Sequence, residues 1–159
     1  MYREGQLLRF DPFIFKNGAK PKAKYFLVLS IQDTSMLLVS LPTSQDHVPA
    51  SIEHLSGCIN DDAACFNAYA FNAGAPVAVN DKGVEFAFPK RTYIYGEQLD
   101  TYVIMSMDAM AARPEVNMED KGILKDNILA DLKNCLKNSS RVKRGFNVGM
   151  GINATIPIR

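Results

Sequence analysis

Gly5-Gln6-Leu7-Leu8-Arg9-Phe10-Asp11-Pro12-Phe13, then Tyr25-Phe26-Leu27-Val28-Leu29-Ser30, then Met36-Leu37-Leu38-Val39-Ser40-Leu41: these three runs decide the fold. Each is short, apolar and bounded by turn-forming residues, so each reads as a strand. The first two are joined by a cationic loop, Lys16-Asn17-Gly18-Ala19-Lys20-Pro21-Lys22-Ala23-Lys24. The last run ends on a hydroxyl-bearing segment, Pro42-Thr43-Ser44-Gln45. Cations and hydroxyls beside a small sheet are the groups needed to hold a phosphodiester.

Working outward, further strands are expected at 75–79, 84–88, 92–95 and 101–105, beside those at 6–10 (running on toward 15), 24–31 and 35–41. Gln32-Asp33-Thr34 reads as a tight hairpin connection, and Asn80-Asp81-Lys82-Gly83 as another, with Gly83 free to take a positive φ. Strands this short and this closely spaced favour a small barrel or a strongly bent sheet. Residues 51–55 read as one helical turn and 61–66 as a loop or short helix. A short helix is expected over 106–112, and Arg113-Pro114 marks a boundary. Beyond it the apolar period rises to about 3.6. Asn117 as N-cap, Glu119 and Asp120 in the first turn, and Lys133 and Lys137 near the end predict one amphipathic helix over 118–137. The chain thus divides into a β domain, 1–112, and a helix with a basic, Gly-rich tail, 113–159.

With 159 residues, 47% of them apolar and 22% charged, the chain is expected to fold around one core. No run is long and apolar enough to span a membrane and no signal peptide is visible, so the expected location is the cytoplasm. The three cysteines, Cys58, Cys65 and Cys135, fit that reading as reduced thiols. The net charge of +1 hides an uneven layout: +4 over 1–24, −6 over 25–81, +2 over 82–95, −5 over 96–120 and +6 over 121–159. Such blocks suggest opposed faces.

Chemistry-bearing motifs are few. His47, His54, Cys58 and Cys65 are spaced too widely for a zinc site, so no metal or other cofactor is expected. No nucleophile elbow, P-loop or His-Glu-x-x-His occurs, and the tail glycines do not match a phosphate-binding fingerprint. What remains is a phosphate-facing set: Lys16, Lys20, Lys22, Lys24, Thr43, Ser44, His47, Lys90 and Arg91. Cleaving RNA without a metal needs a base for the 2′-hydroxyl, an acid for the leaving oxygen and a cation for the charge gathering on phosphorus. Histidine suits the proton roles, and lysine, arginine and hydroxyls suit the others. Taken singly, each of these residues also reads as an ordinary loop or surface side chain.

In order along the chain, residues 4–106 resemble the MazF/PemK family of toxin ribonucleases from bacterial toxin–antitoxin pairs. Gly5-Gln6-Leu7 is similar to the family's opening Gly-Asp-Ile strand, and Phe10-Asp11-Pro12-Phe13 to its aromatic-Pro segment. Lys24-Tyr25-Phe26-Leu27-Val28-Leu29-Ser30 resembles its Arg-Pro-x-x-Val-Leu-Ser strand. Leu41-Pro42-Thr43-Ser44-Gln45 resembles its Pro-x-Thr-Thr/Ser loop, and Gln98-Leu99-Asp100-Thr101-Tyr102 its late strand. The resemblance implies a mainly β fold: a small SH3-like barrel that forms a homodimer and carries the added helix and tail. It further implies cleavage of single-stranded RNA without metal, and an antitoxin protein as partner. Lys24 then stands for the family's catalytic Arg, and Thr43 or Ser44 for its hydroxyl; His47 joins them as a candidate proton carrier. Lys16, Lys20, Lys22, Lys90 and Arg91 become candidate RNA contacts. Lys24 departs from the family in losing the bidentate fork, and Asp100 stands where a basic residue is usual. The alternatives are a non-catalytic SH3-like module that binds RNA or a protein, and a structural or assembly protein.

Overall fold

The three opening runs form an antiparallel meander in a computed structural model that describes residues 1–41, 55–64, 66–142 and 146. They are β1 (Gln6–Phe13), β2 (Lys22–Gln32) and β3 (Ser35–Leu41). All three are apolar on both faces. Leu7, Leu27, Leu29, Val39 and Leu41 join one core, while Leu8, Phe10, Phe26, Val28 and Leu38 join another on the opposite face. A strand buried on both sides has no polar face, so its sequence reads as a continuous apolar run.

The chain continues through β4 (Gly57–Asp61), β5 (Phe66–Phe71), β6 (Pro76–Val79), β7 (Glu85–Ala87) and β8 (Thr92–Tyr95). A 3-10 turn, Gly96–Gln98, leads to β9 (Leu99–Val103), α1 (Ile104–Ala111), β10 (Asn117–Leu124) and α2 (Asp126–Lys137). Seven strands make the main sheet in the order β7-β6-β10-β1-β2-β3-β9, and β4-β5-β8 make a smaller one. All pairings are antiparallel. The first core lies between the main sheet, the small sheet and α2, which contributes Leu132, Cys135 and Leu136. The second is closed by Met107 of α1 and by Val116.

Mainly β, antiparallel and ending in a helix, the molecule matches the expectation at that level. Closure does not follow: among the described residues the strands form two sheets, with β7 and β9 as the outer strands of the larger. The helix expected over 118–137 is also corrected. Its first half is β10, threaded between β1 and β6, and only Asp126–Lys137 is helical. Asn117 is a strand residue rather than an N-cap. The reason is local. Leu7 pairs with Gly122 but Leu8 with Asp120, so β10 bulges at Lys121. Gly122 holds φ at +108° there, and a Cβ on it would lie 2.6 Å from the Val79 carbonyl carbon and oxygen. A bulge glycine against a neighbouring backbone is a strand feature. The helical period that follows it is real only from Asp126 onward.

Of the loop or short helix expected over 61–66, the loop is found: residues 62–64 form a turn, and it joins two strands that were not expected, β4 and β5. β5 is buried along its whole length, so it shows no alternation to read. The cysteine expectation is overturned as well: Cys58 of β4 and Cys135 of α2 form a disulfide, with Cα atoms 5.5 Å apart. A pairing across 77 positions leaves no trace in local spacing. The turn at Asn80 is as expected. Its side-chain oxygen accepts from the Lys82 and Val84 N–H groups at 2.9 Å each, and Gly83 takes φ +77°.

Candidate nucleic-acid interface

Six cations fall within residues 1–24, and the fold divides them in two. Arg3 pairs with Asp81 at 3.2 Å, Arg9 with Glu119 at 3.1 Å and with Asp11 at 3.4 Å, and Lys16 with Asp100 at 3.2 Å. The other three, Lys20, Lys22 and Lys24, have no ion-pair partner among the described residues. These three line one open hollow of about 610 Å³, together with Phe15, Asn17 and Pro21.

Local sequence builds this hollow. The chain leaves β1 at Phe13 and turns over Phe15-Lys16-Asn17-Gly18, where the Gly18 N–H donates to the Phe15 carbonyl at 3.2 Å and φ of Gly18 is +77°. The Asn17 side-chain oxygen accepts from the Ala19 N–H at 3.0 Å and fixes the return. β2 then begins, with Lys22 opposite Phe13 and Lys24 opposite Phe10. The period of two puts Lys22 and Lys24 on the face that carries Phe26 and Val28. Lys22 is exposed, whereas Lys24 is half-buried. Burial lowers the Lys24 pKa below the ordinary lysine value, and the neighbouring Lys22 charge lowers it further. A cation that is partly desolvated and crowded by like charge is short of a counter-anion.

The remaining candidates are placed elsewhere. Lys16 points to the edge of the main sheet, where its ammonium lies 3.9 Å from the Tyr102 ring centre. Asp100 is neutralised by Lys16 and does not line the hollow. Lys90 is exposed in the turn before β8. Arg91 donates from Nε to the Tyr93 hydroxyl and from Nη1 to Asn72 Oδ1, both at 2.7 Å, and its guanidinium lies over the Tyr93 ring. Both residues thus lie just ahead of β8, beside the small sheet. β3 ends at Leu41, the register partner of Tyr25, one residue past Lys24. Thr43, Ser44 and His47 follow it and lie outside the described residues, as do Cys65 and most of the Gly-rich tail.

Phe15 and Asn17 were absent from the sequence-derived set. The Asn17-Gly18 pair was the available signal, since it marks a turn that would swing Phe15 and the later lysines to one side. Among the described residues no group of three His, Cys, Asp or Glu side chains could hold a metal ion. Nor is any helix of those residues long and apolar enough to cross a membrane. No family model, curated protein or solved structure matches the chain.

Proposed function

We propose that the chain binds single-stranded RNA in the hollow at the β1–β2 turn and cleaves it without a metal ion, as a toxin-like endoribonuclease. The observation that carries the binding half is the sorting of the N-terminal cations. Three are neutralised by carboxylates, and the three left without ion pairs among the described residues, Lys20, Lys22 and Lys24, line one hollow. Successive phosphates suit such a row, and Phe15 supplies a ring on which a base can stack. The cleavage half rests on the resemblance and on Lys24. In this chemistry the 2′-oxygen attacks phosphorus, its proton goes to a base, and the 5′-oxygen leaves with a proton from an acid. A 2′,3′-cyclic phosphate and a 5′-hydroxyl result. Lys24 would steady the charge on phosphorus, Thr43 or Ser44 would donate to a phosphate oxygen, and His47 would carry protons. An antitoxin with an acidic tail would cover the same lysines.

The test is incubation of the purified chain with a mixed-sequence single-stranded RNA in EDTA, beside a folded Lys24→Ala variant. Cleavage to cyclic-phosphate ends by the parent, reduced at least about a hundredfold in the variant, is the expected result. Equal cleavage by both, or neither binding nor cleavage by folded parent, sinks the reading. The Cys58–Cys135 bond favours a second reading. Disulfides persist in oxidising compartments and are rare in the cytosol, where such a toxin would act. On that reading the hollow belongs to a non-catalytic module that binds RNA or an acidic protein segment. RNA binding with a steep salt dependence and no cleavage would select it.

A further inference from the structure

Among the described residues the main sheet ends on β9, and the midpoint of that outer strand is closed by side chains. Thr101 pairs with Leu37 of β3, yet its main-chain groups are bonded elsewhere. The Thr101 N–H donates to Asp100 Oδ1 at 2.8 Å, and the Thr101 carbonyl accepts from the Lys16 ammonium at 3.2 Å. In an antiparallel ladder residues alternate between bonding the neighbour and facing outward, so these groups lie on the open edge. Lys16 and Asp100 are themselves paired at 3.2 Å, and the Tyr102 ring lies 3.9 Å under the ammonium. Donor, acceptor, anion and cation close on one residue of an edge strand. An unpaired edge is a template for another strand, and charge placed on it is a means of blocking addition.

We propose that the Lys16–Asp100 pair is an autoinhibitory clasp that keeps β9 from pairing with β9 of a second copy of this chain. The strand is built for such pairing. In an antiparallel register centred on Thr101, Thr101 meets Thr101 of the other copy and exchanges both main-chain bonds with it. Leu99 then meets Val103, apolar against apolar, and Asp100 meets Tyr102. Each edge carries one lysine and one aspartate, so two edges meet without excess like charge. Val103 and Met105, 51% and 77% exposed, flank the strand and supply apolar surface to cover.

Sedimentation of the full chain across a concentration series tests the clasp. The neutral pair of substitutions Lys16→Ala with Asp100→Ala removes it and should tighten self-association about tenfold relative to the parent. Thr101→Pro, which takes away the outward N–H without costing a bond to β3, should abolish that increment. A folded double variant that associates no more than the parent overturns the proposal. So does an increment that survives Thr101→Pro, since association then runs through another surface or occupant. If the double variant fails to fold, the parent in rising salt makes the same comparison. Screening the exposed pair must raise association, and Thr101→Pro must remove the rise. Absence of that rise likewise overturns the proposal.

Discussion

Lys24 and Gly122 show how one position can carry a chemical or a geometric demand. Lys24 sits half-buried beside Lys22, and both burial and that charge favour the neutral amine. Its folded pKa therefore lies below the ordinary 10.5, and its charge is lost as pH rises through a window below that value. RNA affinity should fall over the same window. Lys24→Arg should bind RNA at neutral pH and stay flat across the window, because guanidinium does not deprotonate there. Affinity titrations of parent and Lys24→Arg between pH 8 and the alkaline limit check this. Parallel curves would mean that Lys24 does not contact the ligand. Gly122 carries the geometric demand. Any side chain there meets the Val79 carbonyl at 2.6 Å while the backbone is held at φ +108°. Gly122→Ala should cost roughly 3 kcal/mol, read as a lowered urea midpoint with an unchanged slope. An unchanged midpoint would show that β10 can give up its bulge freely.

Among the elements, α2 is fastened to the small sheet by more than its apolar face. Tyr69 donates its hydroxyl to Asp131 at 2.9 Å, and the Asn60 side-chain amide donates to the Cys135 carbonyl at 3.2 Å. The Cys58–Cys135 bond ties the helix to β4 covalently. Closing a loop of 77 residues restricts the unfolded chain enough to stabilise the fold by roughly 4 kcal/mol. Reductant, or Cys58→Ser, should lower the unfolding free energy by about that amount, read from the midpoint and slope of denaturant unfolding, and thiol titration of the unreduced, unfolded chain should find one free thiol rather than three. Three free thiols would remove the bond and with it the case for an oxidising compartment. The sheet itself was legible in the sequence to very different degrees. β1, β2, β3 and β8 were readable within a residue or two at most ends because turn chemistry brackets each apolar run. β5 was not, since Phe66–Phe71 is buried on both faces, and its Ala and Asn residues dilute the strand signal. The first half of the supposed long helix misled because Asn117, Glu119 and Asp120 look like a helix start, and Leu124 opens the line that continues through Ile128, Asp131 and Cys135. Only the pairing with β1 and β6 decides between helix and strand.

At the scale of the whole molecule, folding reorganises the charge blocks of the chain. The acidic block 96–120 supplies Asp100 and Glu119, which neutralise Lys16 and Arg9 of the first basic block, and Asp81 takes Arg3. The sequence exposed the surplus of cations but not which would remain, because the partners lie 78 to 110 positions away. Lys20, Lys22 and Lys24 remain at the hollow, whereas Lys90 and Arg91 stand beside the other sheet, the latter held by Tyr93 and Asn72. If RNA follows the hollow alone, the two groups differ in their effect on salt dependence. Each single-strand phosphate contact contributes about 0.7 to the slope of log affinity against log salt. Replacing Lys20, Lys22 and Lys24 together by alanine should flatten that slope by about 2. Replacing Lys90 and Arg91 should leave it unchanged. Filter binding of one RNA at several salt concentrations reads both. If the Lys90 and Arg91 replacements flatten the slope as much as the lysine replacements do, the RNA crosses from one sheet to the other. The hollow would then be one end of a longer track, and the separation of the two cation groups would measure its length.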